Sequence, residues 1–243
     1  MLDIVLRYYT IVQQINNSKL SKVLEVGSDD YGIAPFLDKS KKIVLFDVAF
    51  RRKNLKNVTY KTGSVLNMPF KDNSFDIVVS VDMLEHIPAK LRKKALSELI
   101  CVTKHRLYLS FPADNPARER DKKVYQIFSK IPSYHLSRYI NEHIENGLPE
   151  SSEVVSFFKA HKVKDVNLIR NMNTKIEFPI VILSNLDFIP ILLLQKILDP
   201  FKQDVLPFFF KTFMILFGWL SPIFSVGDCY RTLLIVTKQK SEE

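Results

Sequence analysis

The sequence predicts an α/β protein with a mostly parallel sheet of seven strands and helices on both of its faces. Short runs rich in branched apolar residues recur along the chain, and turn residues bound each run. Stretches with apolar residues at helical spacing lie between these runs. Because alternation of strand and helix is typical of parallel sheets, each strand is expected to lie between two helical layers.

The elements follow in order along the chain. A first helix is predicted over 3–18, where Leu6, Ile11 and Ile15 are among the apolar residues. The clearest later helix covers 89–104, and another runs from Ser151, a suitable capping residue, to about 161. The polar and basic stretch 113–150 is predicted to form helices and a loop over the sheet edge that binds ligands. Strands are predicted at 22–26, 42–47, 58–61, 75–81, 106–111, 164–169 and 231–237.

A long apolar helical insertion precedes the last strand. The stretches 178–198 and 206–226 are strongly apolar, but the longest uncharged run, 212–227, is short for a membrane span and contains Pro222. Two interpretations stay open. The helices pack as a cap over the sheet, or they lie in a membrane interface with Trp219 at headgroup depth. The chain therefore divides into a main domain, 1–171 with 229–243, and an insertion, 172–228.

The composition narrows the range of binding partners and cellular locations to be expected. The net charge is +9, with basic runs at 51–53, 92–94 and 118–123 that are either solvated faces or an attraction for anionic surfaces. No basic run is interleaved with stacking aromatic residues, so nucleic acid is not an expected partner. Two distant cysteines do not form a disulfide framework, and no basic lead precedes an apolar run at the N-terminus. The expected location is cytoplasmic, with attachment to the inner face of a membrane as the alternative.

The loop after the first strand carries the main chemical signal. The segment Lys22-Val-Leu-Glu-Val-Gly-Ser-Asp-Asp-Tyr-Gly32 passes from an apolar strand into a polar turn with two glycines. A dinucleotide site uses Gly-x-Gly-x-x-Gly, but Asp29 takes the middle position here and Asp30 follows. Two carboxylates would repel a phosphate and attract a cation. Asp47 ends the second strand about 20 residues after Gly27, the offset at which an acid reaches ribose hydroxyls.

A downstream motif completes a family pattern. The stretch Met68-Pro-Phe, then Ser74-Phe-Asp-Ile-Val, then Leu84-Glu-His-Ile87 stands in order after the glycine loop. Over about residues 20–112, this ordered set closely resembles the class I S-adenosylmethionine-dependent methyltransferases of the type 11 group. The resemblance implies a Rossmann-like fold, S-adenosyl-L-methionine as cofactor, and methyl transfer to an acceptor that is either a small molecule or lipid-like. The apolar insertion favours a hydrophobic or membrane-borne acceptor.

The resemblance also implies site residues. Glu25 and the loop that includes Gly27, Ser28, Asp29 and Gly32 are expected to hold the methionine moiety. Asp47 is expected to bind the ribose hydroxyls beside Val48, which borders the adenine. Ser64 and Val65 are expected at the adenine edge. The end of the fourth strand, up to Asp82, is expected to face the methionine part or the transferable methyl group.

Departures from the family pattern keep two alternatives open. Ser64 stands where many members have an acid, Asp29 replaces a glycine, and Gly32 comes one position late. About 60 residues also separate the last two strands, which form a hairpin in the family. One alternative is a non-catalytic, membrane-associated module that retains the fold. The other is a dinucleotide-binding oxidoreductase, against which the presence of Asp29 in place of a glycine counts.

Histidines are the remaining candidates for chemistry. His86 lies at the mouth of the expected site and is a candidate general base, although it could equally bond to backbone at a helix start. His135 and His143 fall in the variable segment; either could face the substrate, but a surface role is expected. No group of histidines, cysteines and acids has metal-ligand spacing along the chain, so no metal is expected.

Overall fold

The computed structural model contains a single mixed sheet of seven strands in the order β3-β2-β1-β4-β5-β7-β6. It describes residues 2–51, 53, 55–130, 138–161, 163–185, 212 and 225–239. The strands are β1 (Lys22–Val26), β2 (Lys42–Asp47), β3 (Val58–Thr62), β4 (Phe75–Val81), β5 (Thr103–Pro112), β6 (Val163–Asn173) and β7 (Cys229–Lys238). The helices are α1 (Leu2–Asn16), α2 (Ala89–Val102), α3 (Asp114–Phe128), α4 (Arg138–Asn146), α5 (Ser151–Lys159) and α6 (Thr174–Asn185).

The pairing confirms the predicted fold class. Strands β1 to β5 pair in parallel, whereas β7 runs antiparallel between β5 and β6. Each of the seven predicted strands is present, with β5 and β6 several residues longer than the apolar pattern indicated. The last two strands, β6 and β7, pair with each other although a long insertion separates them in the chain. The hairpin is therefore retained, with the insertion between its two strands.

Alternate residues of the central strands bury opposite faces of the sheet, as parallel strands between two helical layers require. In β4, Ile77 and Val79 pack with Ile11 and Ile15 of α1. On the other face, Val78 packs with a cluster that includes Leu99 of α2 and residues of α5. These two clusters cover the two faces of the central strands.

Strand order places a switch point between β1 and β4. From β1 the chain winds outward to β2 and β3, then returns to β4 and winds the other way. In open sheets of this kind, ligands bind in the crevice beyond the carboxyl ends of the strands at the switch point. The segments that follow β1, β2 and β4 are therefore the ones that form the candidate site.

The start of the insertion is described and packs on the protein. In α6, Phe178 and Ile182 contact a cluster formed by Val124 and Phe128 of α3 and Ile140 of α4. The rest of the apolar stretches, including Trp219 and Pro222, lies outside the described residues. Within the described part of the chain, no helix has the length and hydrophobicity needed to cross a membrane.

Candidate functional site

The first glycine of the loop after β1 lies against the segment after β4. Gly27 has a φ of +76° and donates its amide to the Phe46 carbonyl at 2.9 Å. A Cβ atom at this position would lie 2.7 Å from Cβ of Met83, which side chains do not tolerate. The loop therefore passes close over the switch point with bare backbone, because only glycine combines this φ with this space.

Glu25 lies beneath the same loop and is fully buried. Its carboxylate accepts hydrogen bonds from the Tyr8 hydroxyl at 2.8 Å and from the Ile33 amide at 2.6 Å. Burial raises the pKa of Glu25 to about 7, against the lowering effect of those two hydrogen bonds. Gly32 has no Cβ to collide with this carboxylate. Glu25 is thus positioned to set the shape of the loop from below.

The two acids of the loop turn toward Arg51. Asp29 adopts a φ of +48°, the left-handed region that a glycine would favour, and its exposed carboxylate lies 3.2 Å from the guanidinium of Arg51. Asp30 is buried and accepts the amide of Arg51 at 2.7 Å. The Asp29 side chain therefore points out to a surface partner, and the acid occupies a glycine's place in the backbone.

Asp47 joins the tip of β2 to the glycine loop. Its carboxylate oxygens accept hydrogen bonds from the backbone amide of Asp29 at 2.8 Å and from that of the next residue, Val48, at 2.6 Å. A carboxylate has about four lone-pair positions, so this half-buried group retains capacity for further donors. The side chain of Val48 is 71% exposed. An acceptor group beside an uncovered apolar side chain is what a ribose with its base requires.

The segment after β3 completes this side of the crevice. Gly63 donates its amide to the Asp47 carbonyl at 2.9 Å, which ties the two strand ends together. Ser64 is exposed, and its hydroxyl accepts the Leu66 amide at 3.2 Å. The side chain of Val65 is buried in the core, so only its backbone is available to a ligand. Ser28 is buried in the glycine loop.

Asp82 ends β4 in a cluster of charges. It has a φ of +52°, and its carboxylate binds Arg231 through two contacts of 2.7 and 2.9 Å and Arg7 at 2.9 Å. Burial alone would raise the pKa of Asp82, but the two guanidinium groups outweigh it and hold the pKa at about 2. Asp82 is therefore a carboxylate already neutralised by two arginines.

Sequence reasoning missed both arginines. Arg231 stands among the buried residues of β7 and is itself only 4% exposed. A charged side chain in an otherwise apolar predicted strand is rarely buried without a partner, and this was the available signal. Nothing in the local sequence of α1 identifies Arg7, because its partner is 75 positions away.

His86 does lie beyond the carboxyl end of β4, in the short 3₁₀ turn Leu84–His86. Its Nδ1 lies 2.7 Å from the carboxylate of Glu142, and its ring centroid is 5.2 Å from that of His143. Burial lowers the pKa of His86, His143 lowers it further, and Glu142 acts in the opposite direction. The expectation of a surface role for His143 is wrong, since it is 8% exposed. His135 lies outside the described residues.

Comparison with known proteins gives one family match over part of the chain. Residues 34–111 match the family model described as a methyltransferase domain. An uncharacterized methyltransferase of Schizosaccharomyces pombe is 33% identical over 76 residues. That match covers 30% of this chain and 27% of the yeast protein, so the chain corresponds to about a quarter of that relative's length.

Solved structures share the fold at low identity. A S-adenosylmethionine-dependent methyltransferase from Archaeoglobus fulgidus matches with a TM-score of 0.60 and 9% identity, over 98% of this chain and 94% of that one. Phosphoethanolamine N-methyltransferase 2 from Haemonchus contortus, in complex with S-adenosyl-L-methionine, matches with a TM-score of 0.54 and 17% identity. That match covers 96% of this chain and 52% of the Haemonchus chain. At these identities the likeness concerns the fold.

Proposed function

We propose that this chain, which carries a class I methyltransferase domain, transfers a methyl group from S-adenosyl-L-methionine to an acceptor. The observation that carries the proposal is the arrangement at the tip of β2. There the Asp47 carboxylate contacts the glycine loop and the neighbouring Val48 side chain is uncovered. The acid offers acceptors to ribose hydroxyls, and Val48 offers an apolar surface to the adenine.

The site residues fit this cofactor better than a dinucleotide. Asp29, Asp30 and Asp47 place three carboxylates around the loop, and Arg51 pairs with the first two at their outer side. This surrounding suits a ligand with a sulfonium and an ammonium and disfavours a pyrophosphate. Gly27 and Gly32 let the loop backbone lie close against Met83 and Glu25, where a Cβ would collide.

Each residue then has a defined task. The loop from Gly27 to Gly32 holds the methionine moiety, and Glu25 keeps the loop in shape from beneath. Asp47 binds the ribose, while Ser64 and the backbone of Val65 border the adenine edge. Asp82 holds Arg7 and Arg231 at the end of β4, where the methyl group is presented. The cofactor supplies a methyl group on a good leaving group, so the protein mainly binds, orients and excludes water.

The acceptor that we propose is hydrophobic, either a small molecule or a lipid-like one. The support is the apolar composition of 178–226 together with the packing of its first helix, α6, on α3 and α4. A segment rich in phenylalanine can line an apolar pocket, and it can also rest on a membrane near the basic runs. Sedimentation with anionic vesicles tests the second role. Recovery of all the protein in the supernatant would remove the membrane from the proposal and leave the location as cytoplasmic.

Calorimetry with S-adenosyl-L-methionine, S-adenosylhomocysteine and NAD⁺ tests the cofactor. We expect binding of the first two and none of the third. Asp47→Ala should weaken cofactor binding by roughly 1–3 kcal/mol, since the acceptor proposed for the ribose hydroxyls is lost. Asp165→Ala is the matched control, because Asp165 is exposed and pairs in register with Thr237 at the opposite edge of the sheet. Equal affinity of the Asp47 variant and the wild type would contradict the assigned pose, and no binding at all would favour the non-catalytic module.

A further inference from the structure

Three potential metal ligands from two separate elements meet beyond the end of β4. Glu85 and His86 come from the 3₁₀ turn Leu84–His86, and His143 comes from α4. One ligand atom from each residue lies within 4.8 Å of those of the other two. Ligand spacing along the sequence did not predict this group, because 56 residues separate His86 from His143.

Two atoms of this group are buried without a hydrogen bond. Oε2 of Glu85 and Nε2 of His143 have no partner among the described residues, and their side chains are more than nine-tenths buried. A buried polar atom without a partner costs roughly 1–3 kcal/mol, so such atoms call for an occupant. A carboxylate oxygen and an imidazole nitrogen are both electron-pair donors, and the three residues lie close enough together for one cation to bind them.

Both histidines are anchored as metal ligands usually are. Nδ1 of His86 contacts the carboxylate of Glu142 at 2.7 Å, and Nδ1 of His143 contacts that of Asp121 at 2.8 Å. In metal sites, a carboxylate on one ring nitrogen fixes the ring and makes the other nitrogen a better donor. The same arrangement here fixes both rings, and in His143 it leaves Nε2 as the nitrogen that can face an ion.

Hydrogen bonds within the protein link the two ligand-bearing elements. Arg92 donates to the Ile87 carbonyl at 3.0 Å and to the Asn146 carbonyl at 3.1 Å, and so ties the turn to the end of α4. Asp121, behind His143, is itself held by Arg120 at 2.7 Å and by the Tyr230 hydroxyl at 3.1 Å. The group is therefore preorganised, which lowers the ordering cost of binding.

We propose that Glu85, His86 and His143 bind one divalent transition-metal ion, and that Zn²⁺ is the best match. Two imidazoles and one carboxylate are a ligand set that zinc uses with a fourth position left for water or substrate. Magnesium and calcium prefer oxygen ligands alone. The site lies next to the end of β4, where the proposed methyl transfer takes place, so an acceptor oxygen could occupy the fourth position.

Metal binding can be measured without the methyl-transfer reaction. The full chain is treated with chelator, exchanged into metal-free buffer and titrated with Zn²⁺ by calorimetry, and then with Co²⁺ while the visible spectrum is recorded. We expect one ion per chain and Co²⁺ bands of low-symmetry coordination without a sulfur-to-cobalt charge-transfer band. Glu85→Gln and His143→Gln should each abolish stoichiometric binding. Glu142→Gln, which leaves all three ligands in place, should weaken it roughly 10- to 100-fold.

His161→Gln is the matched control, since His161 is exposed and its Nδ1 contacts the Phe157 carbonyl. Circular dichroism of every variant in chelator reports folding separately, and the Glu142 variant remains informative where a ligand variant does not fold. Absence of stoichiometric binding by the wild type would overturn the proposal. Unchanged affinity in the variants at 85, 142 and 143 would overturn it as well. Neither result depends on whether S-adenosyl-L-methionine binds.

Discussion

The buried carboxyl of Glu25 makes the stability of this protein depend on pH in a defined direction. The side chain is fully buried, and its pKa rises from 4.5 to about 7 on folding. Because the folded pKa is raised, the protonated group favours the folded state fully below pH 4.5, and that advantage is lost as the pH rises through 7. At about 1.4 kcal/mol per pH unit, the free energy of unfolding should fall by about 3 kcal/mol across this window from this group alone.

Glu25→Gln isolates that contribution. Glutamine resembles the protonated acid, and its amide can still accept from the Ile33 amide and donate to the Tyr8 hydroxyl oxygen. The difference in unfolding free energy, variant minus wild type, should therefore rise by about 3 kcal/mol between pH 4.5 and 8. Urea unfolding at five or six pH values measures this difference, and all other titrating groups cancel in it.

A companion variant tests the cause. Tyr8→Phe removes the hydroxyl that donates to Glu25 at 2.8 Å, and this hydrogen bond lowers the pKa of the acid. Its cost should therefore be greater at pH 8, where the carboxylate is charged, than at pH 4.5. A Glu25→Gln difference that stays constant over the whole range would refute the reasoning, since the acid would then not titrate there in the folded state.

Two further predictions compare matched pairs of residues. Gly27→Ala and Gly147→Ala both place a side chain at positive φ, but only the first meets another residue. Both variants should lose roughly 1–2 kcal/mol of stability because of the positive φ. Gly27→Ala should lose more and should also weaken cofactor binding. Equal losses for the two variants in thermal unfolding would contradict the close approach of Gly27 to Met83. Arg231→Ala leaves Asp82 with one partner fewer in a buried cluster and should cost about 3–5 kcal/mol. Arg51→Ala removes a surface pair and should cost at most about 1 kcal/mol, so similar urea midpoints for the two arginine variants would show that burial does not decide the difference.

Local sequence predicted the sheet well because strand signals are local. The branched apolar runs at 22–26 and 75–81 match β1 and β4 to the residue. The ends of β5 and β6 were less visible, because polar residues such as Lys104 and Asn171 continue the strands beyond the apolar pattern. Pairing with β4 extends the start of β5, and pairing with β7 extends the end of β6. No local pattern reports on a partner far away in the chain.

The candidate site divides in the same way. Asp47 and Gly27 were identified from spacing alone, since the carboxyl ends of neighbouring parallel strands meet at one edge. Spacing did not predict the inward position of Glu25 or the arginine partners of Asp82. The contacts of Glu25 with Tyr8 and of Asp82 with Arg231 join segments that are distant in the chain.

The order of short apolar runs, turn residues and acids along the chain predicted the class of fold, which the strand pairing confirms. The same order predicted the sheet edge of the proposed site and the charge of the proposed ligand. These properties depend on periodicity and on the nature of side chains near strand ends, which a linear sequence contains. Folding alone decided which charges are neutralised and which histidines are buried. His143 reaches the vicinity of Glu85 only because α4 packs over the turn after β4, and a long-range contact of this kind depends on the packing of the whole chain.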